Sequence, residues 1–285
     1  MKMKVHFKRW DFRGWIPPAI YRLKILRKIN IDFKWVMDII KTIDKQIRNY
    51  KPISLQKVRN LFVFKFKGFN RKSIFNPSYL IYRTLIPDIE STKKYANGIV
   101  LDVGSGSSPY RYVFEPCAAE YITLDIDPKR GRIDIIASAM DLPFRDSSID
   151  TVICFQVVEH LPSPERFFSE VKRVLKNGGH LICSLPQQWR LHEKPYDFFR
   201  FTCYGIKQLC NQSGLKLLYV KPNGGAWAMI GQSIINIIGR NKWFVPVYLI
   251  INIIFSMLDR IWYDPDDTMN YIFVAQKPDN LNSSL

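Results

Sequence analysis

The sequence predicts an α/β protein built on one doubly wound sheet of seven strands, and three observations carry that expectation. From Gly98 onward, short β-branched runs alternate with helical stretches, the pattern of a parallel sheet with crossover helices on both faces. The first run ends in a tight glycine turn, Gly104-Ser105-Gly106, which suits a buried strand that closes against a ligand. Hydrophobic residues make up 47% of the 285 positions and charged residues 24%, so a sizeable core is available and a disordered or low-complexity chain is excluded.

Taken in order, the expected strands are Ile99–Val103, Tyr121–Leu124, Ile133–Ile136, Thr151–Phe155, His180–Leu185, Leu215–Val220 and Tyr271–Ala275. Helices are expected at Pro164–Leu175, stopped by Lys176-Asn177-Gly178-Gly179, and at Cys203–Ser213, stopped by Gly214. Between the last two strands lies a strongly apolar insertion, roughly residues 221–269. Its two uncharged runs, Pro222–Gly239 and Trp243–Leu258, fall short of the ~20 apolar residues of a bilayer span and read as two helices. Trp227, Trp243, Trp262 and Tyr263 stand near their ends. Half-insertion in a lipid headgroup layer and burial in the core or a dimer interface fit these runs equally.

Charge divides the chain. Residues 1–97 hold 23 Lys and Arg against 6 Asp and Glu, whereas residues 98–285 hold 19 of each. The expected organisation is therefore a basic N-terminal helical arm, 1–97, ahead of a neutral domain, 98–285, that contains the insertion. Within the arm, Phe33, Val36, Ile40, Ile43, Ile47 and Tyr50 recur at helical steps over residues 32–50. Ile20, Leu23, Leu26 and Ile29 are interleaved with Arg22, Lys24, Arg27 and Lys28, a basic amphipathic stretch suited to a membrane interface. Residues 61–69 alternate in part like a strand. A +17 arm points to an anionic partner, either an acidic membrane surface or nucleic acid; a merely solvated basic face is the alternative. Five cysteines without a C-x-x-C pair argue against a disulfide framework or a zinc site, and no secretory signal is visible at the start.

The chemistry begins at Ile99-Val-Leu-Asp-Val-Gly-Ser-Gly. A ligand is expected at the carboxyl edge of this strand, and Asp125, 21 residues beyond Gly104, stands where an acid can take both hydroxyls of a ribose. Together these features indicate an adenosine-containing cofactor. Pro109 occupies the position where a dinucleotide fingerprint wants its third glycine, so a cofactor without phosphates fits better.

The segments LDVGSGSSPY, YITLDIDP, MDLPFRDSSIDTVICFQVVEHL and VLKNGGHLICSLPQ follow in this order between residues 101 and 187. In that order and spacing they resemble the class I S-adenosylmethionine-dependent methyltransferases, and within them the type 11 group. The resemblance runs from about Ile99 to Leu218 and resumes at Tyr271–Lys277. It implies a Rossmann-like fold and S-adenosyl-L-methionine as cofactor. Asp102, Gly104 and Gly106 would hold the methionine moiety, Asp125 the ribose, Ile126 an adenine face, and Ala139 with Met140 the adenine edge. Ser105 in the turn and Gln156 after the fourth strand join this set. Where the family usually shows Asp before that Ala, this chain has Ser138, which can still accept a hydrogen bond.

A further stretch, HEKPYDFFRFT at residues 192–202, resembles a P-x-D-F/Y-x-R-F-T signature of members associated with surface-glycan and glycolipid pathways. It follows the fifth strand, where the topology places a substrate pocket. Sugar rings stack on aromatic faces and their hydroxyls pair with Asp and Arg, so Tyr196, Asp197 and Arg200, with Glu159 and Gln187, are the candidate acceptor-binding residues. A lid closed by an Asp197–Arg200 ion pair is the structural alternative.

Methyl transfer asks mainly for positioning, and a hydroxyl acceptor also needs its proton removed. His160, beyond the fourth strand, and His192, beyond the fifth, are the candidate catalytic bases. His180, at the opposite sheet edge, is expected to be structural, and His6 lies in the arm. No H-E-x-x-H, P-loop or G-x-S-x-G pattern and no paired metal-ligand cluster is present, so metal-dependent hydrolysis and phosphoryl transfer lack support, and no metal is expected. The function expected is O-methylation of a glycan or glycolipid by a cytoplasmic protein peripheral on the inner face of the cell membrane. The rivals are a nucleic-acid (RNA) methyltransferase that uses the basic arm, the less favoured partner, and a non-catalytic cofactor-binding protein.

Overall fold

The computed structural model describes residues 71–279. The helical readings at 17–29 and 32–50 and the strand-like reading at 61–69 lie outside the described residues.

The described chain starts its regular structure with a helix, α1 (Tyr79–Ser91), followed by a 3₁₀ turn, Thr92–Tyr95. Then come β1 (Ile99–Val103), the single-turn α2 (Arg111–Phe114), β2 (Glu120–Asp125), β3 (Ile135–Ile136), β4 (Ile149–Phe155), α3 (Pro164–Val174) and β5 (Leu175–Pro186). The rest is α4 (Cys203–Ser213), β6 (Lys216–Asn223), α5 (Ala226–Ile238), α6 (Val245–Ile261) and β7 (Asn270–Gln276). The seven strands form one sheet in the order β3-β2-β1-β4-β5-β7-β6.

All neighbours from β3 to β5 pair in parallel, but β7 runs antiparallel to both β5 and β6. This corrects the expectation of a parallel sheet. The physical reason is the insertion: Asn223 at the end of β6 pairs with Asn270 at the start of β7. The chain leaves and re-enters the sheet at the same edge, and a connection of that kind can only join antiparallel strands. Strand β5 also starts earlier than expected, because Lys176 to Gly179, read as a helix stop, are already part of the strand.

One sheet face is covered by α3 and α4. Pro164 occupies the first turn of α3, where its missing N–H costs nothing, and Phe167, Phe168, Val171 and Val174 recur on its inner face, all fully buried. Thr202 caps α4 by accepting from the Gly205 N–H at 3.1 Å, and Ile206, Leu209 and Cys210 complete the layer. The other face is covered by Leu85, Ile86 and Ile89 of α1 together with Tyr110, Val113 and Phe114. Side chains of this size contribute ~1.5–3 kcal/mol each on full burial, so the sheet is held from both sides.

The insertion forms the two expected helices, which pack on each other and on α1. Helix α6 carries apolar residues on its solvent side as well as on its packed side, where Ile251 and Phe255 lie. Its inward face carries Tyr248, Asn252 and Asp259, all buried, while Val247, Ile250, Ile254, Met257 and Ile261 recur on its outward face and are exposed. The three buried polar side chains each tie neighbouring segments together. Tyr248 Oη ties the Gly239 carbonyl and the Asn241 N–H, Asn252 donates to the carbonyls of Ile74 and Asn76, and Asp259 pairs with Arg83 of α1. Asp259 also accepts the Ala228 N–H at 3.0 Å, capping α5 from a neighbouring helix. Gly225 makes that approach possible, since a Cβ there would meet Asp259 Oδ1 at 2.7 Å. No helix among the described residues is long and apolar enough to cross a membrane.

Replacing Asp259 by Ala strips Arg83 of its buried counterion and Ala228 of its cap. Urea unfolding of Asp259→Ala is expected to show a loss of about 3–5 kcal/mol, the range for breaking one half of a buried ion pair.

Candidate active site

Strands β1, β2, β4 and β5 end at a common edge because they are parallel, and the candidate residues gather there. The turn after β1 is fixed first. Gly104, at φ +67°, donates its N–H to the Leu124 carbonyl at 2.8 Å, and Ser105 donates to the same oxygen at 3.1 Å. A Cβ on Gly104 would meet the Val157 side chain at 2.5 Å, so both the backbone angle and the close approach require glycine. Gly106 donates to Asp125 Oδ2 and Asp127 to Asp125 Oδ1, each at 2.9 Å. Asp125 is thereby held, buried, at the tip of β2 beside the turn.

These residues fit S-adenosylmethionine. Each Asp125 oxygen accepts one backbone N–H and keeps a lone pair for a ribose hydroxyl. The Ser105 hydroxyl is buried in the turn without a hydrogen-bond partner, and the Cβ direction of Gly106 opens into free space. Ile126 is 73% exposed just beyond Asp125, an apolar surface available to an adenine. Helix α2, which follows the turn, has a single turn, so it offers a phosphate little of the dipole a long helix would supply.

Two of the expected contact residues also serve the fold. The Ser138 hydroxyl accepts the Met140 N–H at 3.1 Å, closing a local turn at the buried Ala139. The Asp102 carboxylate is buried beneath the glycine turn, where it accepts from Tyr121 Oη at 2.7 Å and bonds the Ser108 side chain. Burial, against the opposing pull of Tyr121, pushes its pKa up to about 6. Gln156 takes a positive φ, +57°, at the end of β4, and its amide donates to Ser184 Oγ at 3.1 Å.

Beyond Gln156 a 3₁₀ turn, Val158–His160, presents Glu159 and His160. Glu159 is fully buried, both its carboxylate oxygens lack a hydrogen-bond partner, and desolvation lifts its pKa to about 8. His160 Nε2 stands 3.8 Å from Glu159 Oε1, and burial lowers the pKa of this imidazole. The loop after β5 brings His192 against it: the two rings lie 4.7 Å apart, edge to face. The structure thus unites the two candidate bases, which are separated by 32 positions in sequence. His180 lies on β5 opposite Thr151, away from the carboxyl edge, and packs on Tyr95.

The loop is framed by Asp197 and Arg200. Arg200 pairs with both Asp197 oxygens, at 2.8 and 2.9 Å, and donates to the carbonyls of Trp189, Arg190 and Phe199. The guanidinium holds the Asp197 carboxyl well below the usual range. Their polar atoms serve the loop itself, while Tyr196, Phe198 and Phe199 remain exposed. Gln187 donates to the Asp266 carbonyl at 2.9 Å, and its Oε1 is buried without a partner. Arg130, which sequence reasoning missed, reaches Glu193 at 2.8 Å and ties this loop to the segment after Asp125. Glu193 lies in the 192–202 stretch but outside its P-x-D-F/Y-x-R-F-T core, and Arg130 belongs to no motif, so no sequence signal marks the pair.

The stability of the cofactor-free protein should report Asp102. Its folded pKa lies above the ordinary aspartate range, so the stability it contributes is present while it is protonated and is lost as pH rises through about 6. Relative to Asp102→Asn, wild type is expected to lose up to ~3 kcal/mol between pH 4 and pH 7, read from denaturant unfolding at each pH.

Residues 101–183 match the family model of a methyltransferase domain. An uncharacterized methyltransferase of Mycobacterium leprae is 34% identical over 97 residues, covering 30% of this chain and 36% of that one. An uncharacterized protein of Methanocaldococcus jannaschii is 32% identical over 115 residues, 39% of this chain and 55% of that one. The chain therefore spans about a third to a half of the curated relatives it matches. Among solved structures, the 4+2 cyclase SpnF superposes with a TM-score of 0.50 at 18% identity, covering 68% of this chain and 80% of its own. That likeness establishes the fold. Over residues 101–183, this chain is thus similar to a methyltransferase domain.

Proposed function

We propose that the whole protein is an S-adenosylmethionine-dependent methyltransferase that methylates a hydroxyl of a glycan or glycolipid at the cytoplasmic face of the membrane. The observation that carries this reading is a juxtaposition at one sheet edge. The glycine turn and Asp125 stand beside the His160–His192 pair, and the Arg130–Glu193 ion pair ties the aromatic loop to the cofactor side. SpnF, described as a cyclase, has the same fold, so the fold alone does not carry an activity; the donor set does.

Bound S-adenosylmethionine would supply a sulfonium methyl for in-line transfer and leave as a neutral thioether. Asp125 would hold the ribose, Ser105 and Gly106 the methionine end, and Ile126 one adenine face. The acceptor would lie against Tyr196, Phe198 and Phe199, whose exposed rings suit the apolar face of a sugar. Its hydroxyl proton would be drawn off at the histidine pair. Asp197 and Arg200 support this by holding the loop rigid, which favours near-attack placement. The exposed apolar face of α6, the Trp243 and Trp262 rings at its ends and the basic composition of residues 1–97 support a peripheral lipid contact.

Calorimetric titration with S-adenosylmethionine, with NAD as control, is expected to show saturable binding that Asp125→Ala abolishes. Wild type should then transfer labelled methyl to a lipid-linked glycan fraction, and absence of cofactor binding by folded protein would overturn the reading. In flotation with vesicles containing anionic lipid, the full chain is expected to rise with the vesicles and to be released by high salt. Protein left monodisperse at the bottom would remove the membrane clause.

A further inference from the structure

We infer that Glu159, His160 and His192 form a binding site for a divalent transition-metal ion of the Zn²⁺ class. One donor atom from each of the three lies within 4.8 Å of one from each of the others. Donors around tetrahedral Zn²⁺ stand about 3.3 Å apart, as bonds of about 2.0–2.1 Å require, so the three need to close by at most roughly 1.5 Å. His192, 28% exposed on its loop, has room to make that movement.

The hydrogen bonds around the imidazoles set their tautomers. His160 Nδ1 lies 2.6 Å from the Tyr196 carbonyl, which can only accept, so the proton is on Nδ1 and the lone pair on Nε2. His192 Nδ1 faces the Asp197 carboxylate at 3.2 Å, kept ionised by Arg200, so it too carries its proton on Nδ1. Both rings are therefore held as metal-binding histidines are, one nitrogen donating to a carbonyl or carboxylate and the other left to ligate. The independent observation is Glu159. A fully buried carboxyl group whose two oxygens find no hydrogen bond is costly in a folded protein, and a cation between it and the two imidazoles supplies what is missing. Two imidazoles and one carboxylate select a borderline ion such as Zn²⁺ or Co²⁺ over Mg²⁺ or Ca²⁺, and three protein donors leave a coordination position open.

The site rests on this geometry and not on the methyl-transfer reading. Its use in catalysis does rest on that reading: an ion there would bind the acceptor oxygen and lower its proton affinity, so that the proton would leave to water as the O–CH₃ bond forms and the S–CH₃ bond breaks, in place of an imidazole acting as base.

The test is titration of the purified full chain, stripped with chelator, with Zn²⁺ alone by calorimetry and with Co²⁺ by visible absorption. Wild type is expected to bind one equivalent, with Co²⁺ d–d bands and no thiolate charge-transfer band. Glu159→Gln, which keeps the buried shape, and His192→Ala, on the half-exposed loop, should each weaken binding more than about tenfold, since even partners outside the ligand shell are worth 10–100-fold. Cooperative thermal unfolding of each variant checks that it is folded. No binding by wild type, equal binding by a folded variant, or a thiolate band that places the ion on the cysteines would overturn the site. Cofactor titration on the same samples reports separately, so failure of the metal site and failure of the methyltransferase reading are distinguishable.

Discussion

The Leu124 carbonyl, accepting from both Gly104 and Ser105, is the contact on which the rest of the edge depends. Two hydrogen bonds to one oxygen fold the chain sharply off β1 and against the end of β2. Once that turn is made, Gly106 is placed to grip Asp125, and Asp125 in turn orders Asp127. The parallel sheet supplies the rest of the geometry, because β4 and β5 end beside β1 and deliver Glu159, His160 and His192 from segments far apart in sequence. Gly104 lies against Val157 just before the 3₁₀ turn that carries Glu159, so the glycine turn and the end of β4 are in direct contact.

The two sides differ in how their polar groups are satisfied. On the cofactor side, Asp102 and Asp125 are bonded by the fold itself, so the turn is organised before any ligand arrives. On the histidine side Glu159 is sealed in and unpaired, while Asp197 is ionised and fully engaged by Arg200. Two carboxyls in neighbouring segments are thus pushed in opposite directions, one by burial and one by a guanidinium, a contrast typical of functional sites.

Strand positions were legible because each is a short apolar run bounded by turn residues, and the glycine turn and Asp125 were legible because their spacing is set by one strand–turn–strand unit. The direction of β7 was not, since a run of apolar residues is the same read either way and only the closure of the insertion decides it. Helix α6 defeats pattern reading for a related reason: many of its apolar positions face outward, while Asn252 and Asp259 turn in, bound to partners such as Arg83 that sequence spacing does not reveal. Asp197 and Arg200 were recognised as a pair, yet only the fan of carbonyls around Arg200 shows that the pair frames the loop. The nearness of His160 to His192 follows from the adjacency of β4 and β5 and could be anticipated only at the level of the sheet edge.

The clamp at the base of the insertion has a consequence for how such a chain can diversify. Met269 N–H and Thr268 Oγ1 both bond the Gly224 carbonyl, and Asn223 N–H bonds Thr268 Oγ1, so the β6–β7 ladder is closed before the excursion begins. Lengthening a loop beyond a closed base adds little entropic cost, about 0.6 kcal/mol per doubling. Extra length in the turn that joins the two helices therefore costs little, whereas the helices themselves are anchored to α1 through Asp259 and Arg83, and the sheet keeps its register in either case.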